Sequence, residues 1–278
     1  MKSTCLRTAT SLALILFSSL TAAAPFGIIA ESRITEPCSP SGAGGGYSCG
    51  PGITFPAVDD QSGSGIIALA VVAQHPTATS RATAAAYLDP GNAYLPVLTA
   101  SASSVAGHGA FSQVETINLY TYTGVDGFTL EGTAFFHGTT SGIATSMFGA
   151  AALISVDDYP AGQAMDDFDD GFSPQNCFGE CFSPLDNDSV FATNGGEQTL
   201  DFTLSTVLNN GDQFYIWAKF GGLSVGGGNF DGLGTTTFSL NTSDISSTAV
   251  VPLPAAAWLF ASALGALLMA RGRHPRTR

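Results

Sequence analysis

Carboxylates that could bind a cation are concentrated between residues 157 and 170, where six aspartates lie. Crowded carboxylates repel one another, and a hard cation such as Ca²⁺ would relieve that repulsion. The stretch DDFDDG at 166–171 begins like an EF-hand loop, but Phe168 and Cys177 stand where such a loop needs carboxylate ligands. We therefore expect either a solvated acidic loop or a Ca²⁺ site of another geometry. The candidate ligands are Asp166, Asp167, Asp169 and Asp170.

Aromatic side chains that could stack on a sugar ring occur in the run QFYIWAKF at 213–220. Its alternation predicts a strand with Phe214 and Ile216 on one face and Tyr215 and Trp217 on the other. An exposed Tyr–Trp pair offers flat apolar area beside polar groups, which is what carbohydrate binding uses. The alternative is that this second face packs under another segment of the chain.

A serine nucleophile is the third candidate, because GLSVG at 222–226 fits the Gly-x-Ser-x-Gly pattern of α/β-hydrolases. That pattern requires a helix after the serine and a catalytic histidine later in the chain. The glycine-rich stretch after Ser224 does not favour a helix, and the single later histidine is His274 in a basic tail. No catalytic residue is therefore predicted. Glycoside hydrolysis stays open because its carboxylate pairs are defined by distance in space rather than by sequence.

Five cysteines occur, of which Cys5 lies in an apolar N-terminal segment and four lie in the body of the chain. An even set in an exported chain indicates two disulfides, for which three pairings can be drawn. The economical pairing joins Cys38 to Cys49 and Cys177 to Cys181. The last two would also suit a metal, but no histidine lies near them in sequence, which disfavours a zinc site.

The elements that must position these groups are strands, because abundant Gly, Phe, Ser and Thr favour short strands and turns over helices. The turn GVDG at 124–127 further predicts a hairpin made of strands at 114–123 and 128–138. The run at 143–156 is also compatible with a helix. Strands are predicted at 65–74, 114–123, 128–138, 143–156, 198–208, 213–220 and 235–245.

About seven strands with regular turns and no long helix predict an all-β fold, a jelly-roll-like β-sandwich, over residues 24–248. No repeat or break in composition requires a second domain. The acidic, turn-rich stretch 157–197 is expected to be a long surface excursion between strands, tied down by its two cysteines.

Basic residues are scarce in this body. Between residues 24 and 248 they are Arg33, Arg81 and Lys219, against all 22 acidic residues, which gives a net charge of −19 (3 − 22). Such a surface repels nucleic acid and anionic lipid, since phosphate binding needs clustered cations. It attracts divalent cations or basic partners, and it also serves solubility.

Both ends of the chain are apolar and stand apart from the fold. Residues 1–23 combine a basic start, a short apolar run and small residues at a cleavage site, which is typical of a secretory signal peptide. Residues 250–270 carry no charge, and their regular helical part is expected to begin near Ala255, which leaves sixteen residues and a marginal membrane span. Arg271 and Arg273 behind that helix would stay on the cytoplasmic side, so the body is predicted to lie outside.

The C-terminal segment 249–278 resembles the PEP-CTERM sorting signal of Gram-negative bacteria in its VPLPA variant. It lacks the Glu of Pro-Glu-Pro and carries an extension, HPRTR, after its first arginines. The resemblance implies processing by an exosortase-like membrane enzyme, transient tethering through the helix, and release to the cell surface or beyond. A retained single-span anchor is the alternative. The motif residues are Val251, Pro252, Leu253, Pro254 and Ala255.

The same resemblance implies a structural or adhesive role in exopolysaccharide or biofilm, without catalysis. Exopolysaccharide and the processing enzyme are then the expected partners, and no nucleic acid is expected. The alternative is a secreted carbohydrate-binding module or glycan hydrolase, with Ca²⁺ as its candidate cofactor.

Overall fold

The computed structural model describes residues 26–41, 46–142, 144–193 and 195–247. Over these residues the chain is all-β, with two antiparallel sheets and one short helix, α1, at Ala161–Asp169. Sheet A contains β1 (Phe26–Ser41), β2 (Gly46–Ser64), β6 (Gly109–Tyr122), β8 (Ala144–Ser155), β9 (Asp186–Ala192), β11 (Gln213–Val225) and β13 (Ile245–Ser247). Sheet B contains β3 (Ala68–Gln74), β4 (Arg81–Asp89), β5 (Leu95–Ser103), β7 (Phe128–Ser141), β10 (Gly196–Leu208) and β12 (Asn229–Leu240).

The strand order is β2-β1-β6-β11-β8-β9 in sheet A, with β13 also paired to β6, and β10-β7-β12-β5-β4-β3 in sheet B. Alternate residues of both sheets point inward and form one shared core. Phe136 lies within it, with its ring centroid 5.3 Å from that of Phe202 and 5.1 Å from that of Phe220. The predicted β-sandwich is therefore confirmed.

Apolar alternation located some strands well and missed others. The run at 143–156 is a strand, β8, and β7 and β10 pair along their whole length with the expected alternating burial. The sequence pattern does not predict β1, β2, β4, β5, β9 or β13. In β4 three of the four buried positions are alanines, Ala82, Ala84 and Ala86, and alanine gives little strand signal. In β2 most positions are exposed, so no apolar pattern exists to be found.

The predicted hairpin of 114–123 with 128–138 is wrong. Strand β6 pairs with β1, β11 and β13 in sheet A, whereas β7 pairs with β10 and β12 in sheet B. The turn at 124–127 therefore carries the chain from one sheet to the other. Apolar residues alternate in the same way whether the next strand pairs with the preceding one or joins the opposite sheet. The sequence pattern therefore does not distinguish a hairpin from a connection between sheets.

Residues 157–185, here termed the cap, pack against the outer face of sheet A rather than forming the expected surface excursion. Buried cap residues, among them Tyr159, Met165 and Phe168, join Ile29 and Ile117 of the sheet in a second apolar cluster. The cap approaches β1 closely at Gly27, where an added Cβ would lie 2.7 Å from a ring carbon of Phe168. Helix α1 can therefore lie directly on β1.

Both disulfides join the pairs that the economical assignment gave. Cys38 bonds Cys49 across the β1–β2 ladder, and Cys177 bonds Cys181 within the cap.

No helix in the described part of the chain is long and apolar enough to cross a membrane. The predicted signal peptide at 1–23, the sorting motif at 251–255, and Arg271 and Arg273 all lie outside the described residues. Those features therefore stay predictions.

We expect Phe168→Ala to lower the free energy of unfolding by about 3–5 kcal/mol, because it removes the fully buried ring that joins the cap to β1. Phe172→Ala is the matched control, since that ring is 38% exposed, and it should change stability by less than about 0.5 kcal/mol. Denaturant melts of both variants give the comparison. Equal losses would mean that the cap does not depend on this contact.

Candidate functional site

Tyr215 and Trp217 do not form the exposed pair that carbohydrate stacking would need. Both side chains are fully buried, because the cap covers their half of the outer face of sheet A. Phe178 meets Trp217 edge to face at 5.5 Å, and Tyr159 meets Tyr215 at 6.1 Å. Burial raises the pKa of Tyr215 to about 12. The alternative prediction, that this face packs under another segment, is the one observed.

A buried ion pair lies beside Trp217 at the border of the cap. Glu115 on β6 is 1% exposed, and its Oε1 lies 2.9 Å from the ammonium of Lys219 on β11. Its Oε2 accepts hydrogen bonds from the Ser173 hydroxyl at 2.5 Å and from the Trp217 indole N–H at 3.2 Å. The carboxylate thus has three partners, one of them from the cap, as a buried charge requires.

The rest of this outer face carries no cap, and we term its residues the open face. Paired residues of neighbouring strands point to the same side of a sheet, so one row crosses β1, β6, β11, β8 and β9. That row consists of Glu31, Gln113, Gly221, Phe148 and Phe191. The adjoining row consists of Arg33, Phe111, Leu223 and Ser146.

The centre of the open face is an aromatic platform. The rings of Phe111 and Phe148 are near-parallel, with centroids 6.4 Å apart and 20° between their planes. Gly221 makes room for this arrangement, because a Cβ there would lie 2.6 Å from the tip of the Phe148 ring. Both rings are half-buried, and with Leu223 and Phe191 they line a largely apolar cavity of about 220 Å³.

Polar groups border this platform on the β1 side. The Gln113 amide donates to Oε2 of Glu31 at 3.1 Å, and an Arg33 nitrogen lies 3.6 Å from the same oxygen. Arg33 is shared, because it also donates to Asp60 at 3.0 and 3.2 Å. Burial raises the pKa of Glu31, and the negative charges of Asp60 and Glu115 add to that effect.

The four aspartates proposed as calcium ligands do not converge. Asp167 accepts the Tyr159 hydroxyl at 2.7 Å, and Asp169 accepts the backbone N–H and the hydroxyl of Ser64. Asp166 and Asp170 are exposed. Within the described ranges, no three of these carboxylates bring oxygens within 4.8 Å of one another. Helix α1 explains this, because it turns consecutive side chains in different directions.

Three other side chains, Glu36, His75 and His108, lie close enough together to hold a metal ion, and they were not predicted from the sequence. Oε2 of Glu36 lies 3.3 Å from Nε2 of His75 and 3.4 Å from Nε2 of His108. The centroids of the two imidazole rings lie 4.5 Å apart. Two histidines and one carboxylate are a ligand set that zinc uses. The residues come from β1 and from two loops, so no local spacing in the sequence connects them.

Hydrogen bonds at the other ring nitrogen of His75 oppose metal binding. Its Nδ1 accepts the backbone N–H groups of Thr77 at 3.1 Å and Ala78 at 2.9 Å. A backbone N–H can only donate, so the proton of a neutral imidazole must be on Nε2, which faces Glu36. A metal would need that lone pair free. We therefore interpret the trio as two imidazole donors on one carboxylate oxygen.

Ser224 of the hydrolase-like pattern is fully buried in β11, where its hydroxyl shares a 2.9 Å hydrogen bond with that of Ser104. This is a strand interior and not the turn between a strand and a helix that a nucleophile elbow needs. The rejection of this motif agrees with the structure.

No protein-family model matches the chain, and no curated protein matches it. Among solved structures, an arabinose-bound α-L-arabinofuranosidase aligns at 13% identity and a TM-score of 0.23 over 61% of this chain. The chain spans about a quarter of that protein's length (24%). A promiscuous carbohydrate-binding module of the β-sandwich superfamily aligns at 7% identity and a TM-score of 0.26, over 75% of this chain and 84% of its own. At such low TM-scores neither likeness bears on function.

Removing the cation of the buried pair should be costly. We expect Lys219→Met to lower the free energy of unfolding by about 3–5 kcal/mol, because Glu115 would keep a buried charge without its counter-ion. Arg33→Met breaks a more exposed pair and should cost less than about 1 kcal/mol. Urea melts measure both. A Lys219→Met loss no larger than that of Arg33→Met would contradict the proposed importance of the pair.

Metal ions should not stabilise the fold. With Zn²⁺, with Ca²⁺ or with a chelator, the melting temperature should stay the same, since a ligand of the native state alone would raise it. Glu36→Gln removes the carboxylate of the trio and tests whether any effect of Zn²⁺ arises there. A rise in melting temperature with Zn²⁺ that this variant abolishes would overturn our assignment of the His75 proton.

Proposed function

We propose that this protein is an exported glycan-binding protein of the extracellular matrix and that the open face of sheet A binds the polysaccharide. The observation that carries the proposal is the half-buried Phe111–Phe148 platform beside the Gln113 amide and the Glu31 carboxylate. The predicted adhesive role and the predicted carbohydrate-binding role are then the same activity. The site differs from the Tyr215–Trp217 pair predicted from the sequence.

Sugar rings need this combination of groups. Their C–H faces pack on flat apolar area, and their hydroxyls require hydrogen-bond partners at the edges of that area. Phe111 and Phe148 offer the area. Glu31 and Gln113, which share a row with Phe148 and lie next to the row of Phe111, offer hydrogen-bonding groups. The row runs across five strands, so an extended chain can lie on it.

Binding without hydrolysis fits the carboxylates of this face. A glycosidase needs two, one as acid and one as nucleophile or base. Glu115 already has three partners and is 1% exposed, and the Asp60 carboxylate is paired with Arg33, so neither suits the second role beside Glu31. We therefore propose no turnover of the bound chain.

Export is a second part of the proposal. The two disulfides support it, because such bonds persist in oxidising compartments outside the cytosol. The tail that resembles a PEP-CTERM signal supports an exosortase-like enzyme as processing partner and tethering through residues 250–270 before cleavage. The surface charge of the body suits a neutral or basic matrix and not a nucleic acid.

We also propose that the sandwich is a jelly roll. From β5 onward the chain crosses between the sheets at nearly every connection: β5, β7, β10 and β12 lie in sheet B, and β6, β8, β11 and β13 lie in sheet A. Strand β9 is the exception, because it follows β8 within sheet A. Repeated crossing is how two Greek keys share one core.

Phe148→Ala should weaken binding to polysaccharide about tenfold, because it removes half of the stacking platform. Retention on cellulose, chitin and xylan identifies a bound polymer, and calorimetry with the matching oligosaccharide measures the affinity. Phe135→Ala on the outer face of sheet B is the control, since that ring is 37% exposed and lies away from the open face.

The proposal would be refuted if no polysaccharide is retained, or if Phe148→Ala and Phe135→Ala bind equally well. Melting curves of both variants show whether each is folded. Product analysis of the bound polymer adds a further check, because release of sugar would contradict binding without turnover.

A further inference from the structure

Glu31 is a partly buried carboxylate that the protein leaves incompletely neutralised. Its Oε2 accepts from Gln113 and faces Arg33, while its Oε1 has no hydrogen-bond partner among the described residues. Arg33 lies closer to Asp60, at 3.0 Å, than to Glu31, at 3.6 Å. The other nearby cation, Lys219, is held by Glu115. One acceptor oxygen on the open face thus remains available.

The surroundings of this oxygen carry net negative charge. Beside the aromatic platform lies a second cleft of about 230 Å³, lined by Glu31, Arg33, Asp60, Ser62 and Asp170 among others. Three of these five groups are acidic and one is basic. Burial raises the pKa of Glu31, and Arg33 offsets this only in part, which accords with a single guanidinium shared between Glu31 and Asp60.

We propose, on the basis of the glycan-binding role above, that the open face selects glycans with free amino groups and that Glu31 binds the ammonium. An ammonium has three donors and no acceptor, so it fits the free Oε1 and supplies the missing positive charge. The adjoining Phe111–Phe148 platform receives the body of the sugar. A polyuronate would place carboxylates against Glu31 and Asp60 and is rejected.

The test compares chito-oligosaccharides of one length in deacetylated and fully acetylated form, with an oligouronate as the third ligand. Calorimetry in weakly acidic buffer keeps the amino sugar protonated. The wild-type protein should bind the deacetylated ligand about tenfold more tightly than the acetylated one, since a charge-assisted hydrogen bond is gained. The oligouronate should not bind measurably. Added salt should reduce the preference.

Glu31→Gln should abolish this preference, so that the deacetylated and the acetylated ligand bind with equal affinity. Glutamine keeps the size of the side chain and an acceptor oxygen for Gln113, so the melting temperature should not fall. Glu131→Gln is the matched control, because it removes the same charge from an exposed position on sheet B and should keep the preference.

Failure of this inference can be distinguished from failure of the proposed function. Equal wild-type binding of the two chito-oligosaccharides, or a preference that persists in Glu31→Gln, would overturn the role of Glu31 and leave glycan binding intact. If the wild-type protein binds none of the three ligands and no polysaccharide is retained, both are overturned. A preference that disappears in Glu31→Gln and persists in Glu131→Gln supports the inference.

Discussion

The buried ion pair of Glu115 and Lys219 is the constraint on which the outer face of sheet A depends. A carboxylate in this position is costly to desolvate, and it is tolerated because an ammonium, an indole and a hydroxyl all bind it. The hydroxyl belongs to Ser173 of the cap and the indole to Trp217 beneath the cap. The pair therefore requires the cap to be in place. Beyond the cap, the strands of sheet A expose the residues of the open face to solvent.

The two outer faces of the sandwich differ in how far their polar groups satisfy one another. On sheet B, hydroxyls bond across strands, as in Thr83 with Ser101 at 2.6 Å and Thr133 with Ser239 at 2.8 Å. These hydroxyls already have partners without a ligand. On sheet A, the open face keeps a free oxygen on Glu31 beside an apolar cavity. This difference between the two faces supports our proposal that the glycan binds on sheet A.

Much of the fold could be predicted from the sequence, because a two-residue period depends only on which side of a strand is buried. That period located β7, β10 and β11 and separated Phe214 from Tyr215 correctly. Which strands pair, and what covers a face, depends on the path of the whole chain. Tyr215 and Trp217 were placed on the correct side of β11, and the cap that buries them could not be foreseen from their spacing.

A signal for the candidate site was nevertheless present in the charge distribution. Three basic residues remain in a body with 22 acidic ones, and two of them, Arg33 and Lys219, turn out to lie on the outer face of sheet A. A lysine that alternates with Tyr215 and Trp217 along a strand faces the same side as those aromatics, so it needs a carboxylate partner on a neighbouring strand. Glu115, in an outward position of β6, meets that requirement. The few basic residues of an acidic chain are informative for this reason. Each needs an acidic partner, and the face on which two of the three lie is where ion pairs are expected.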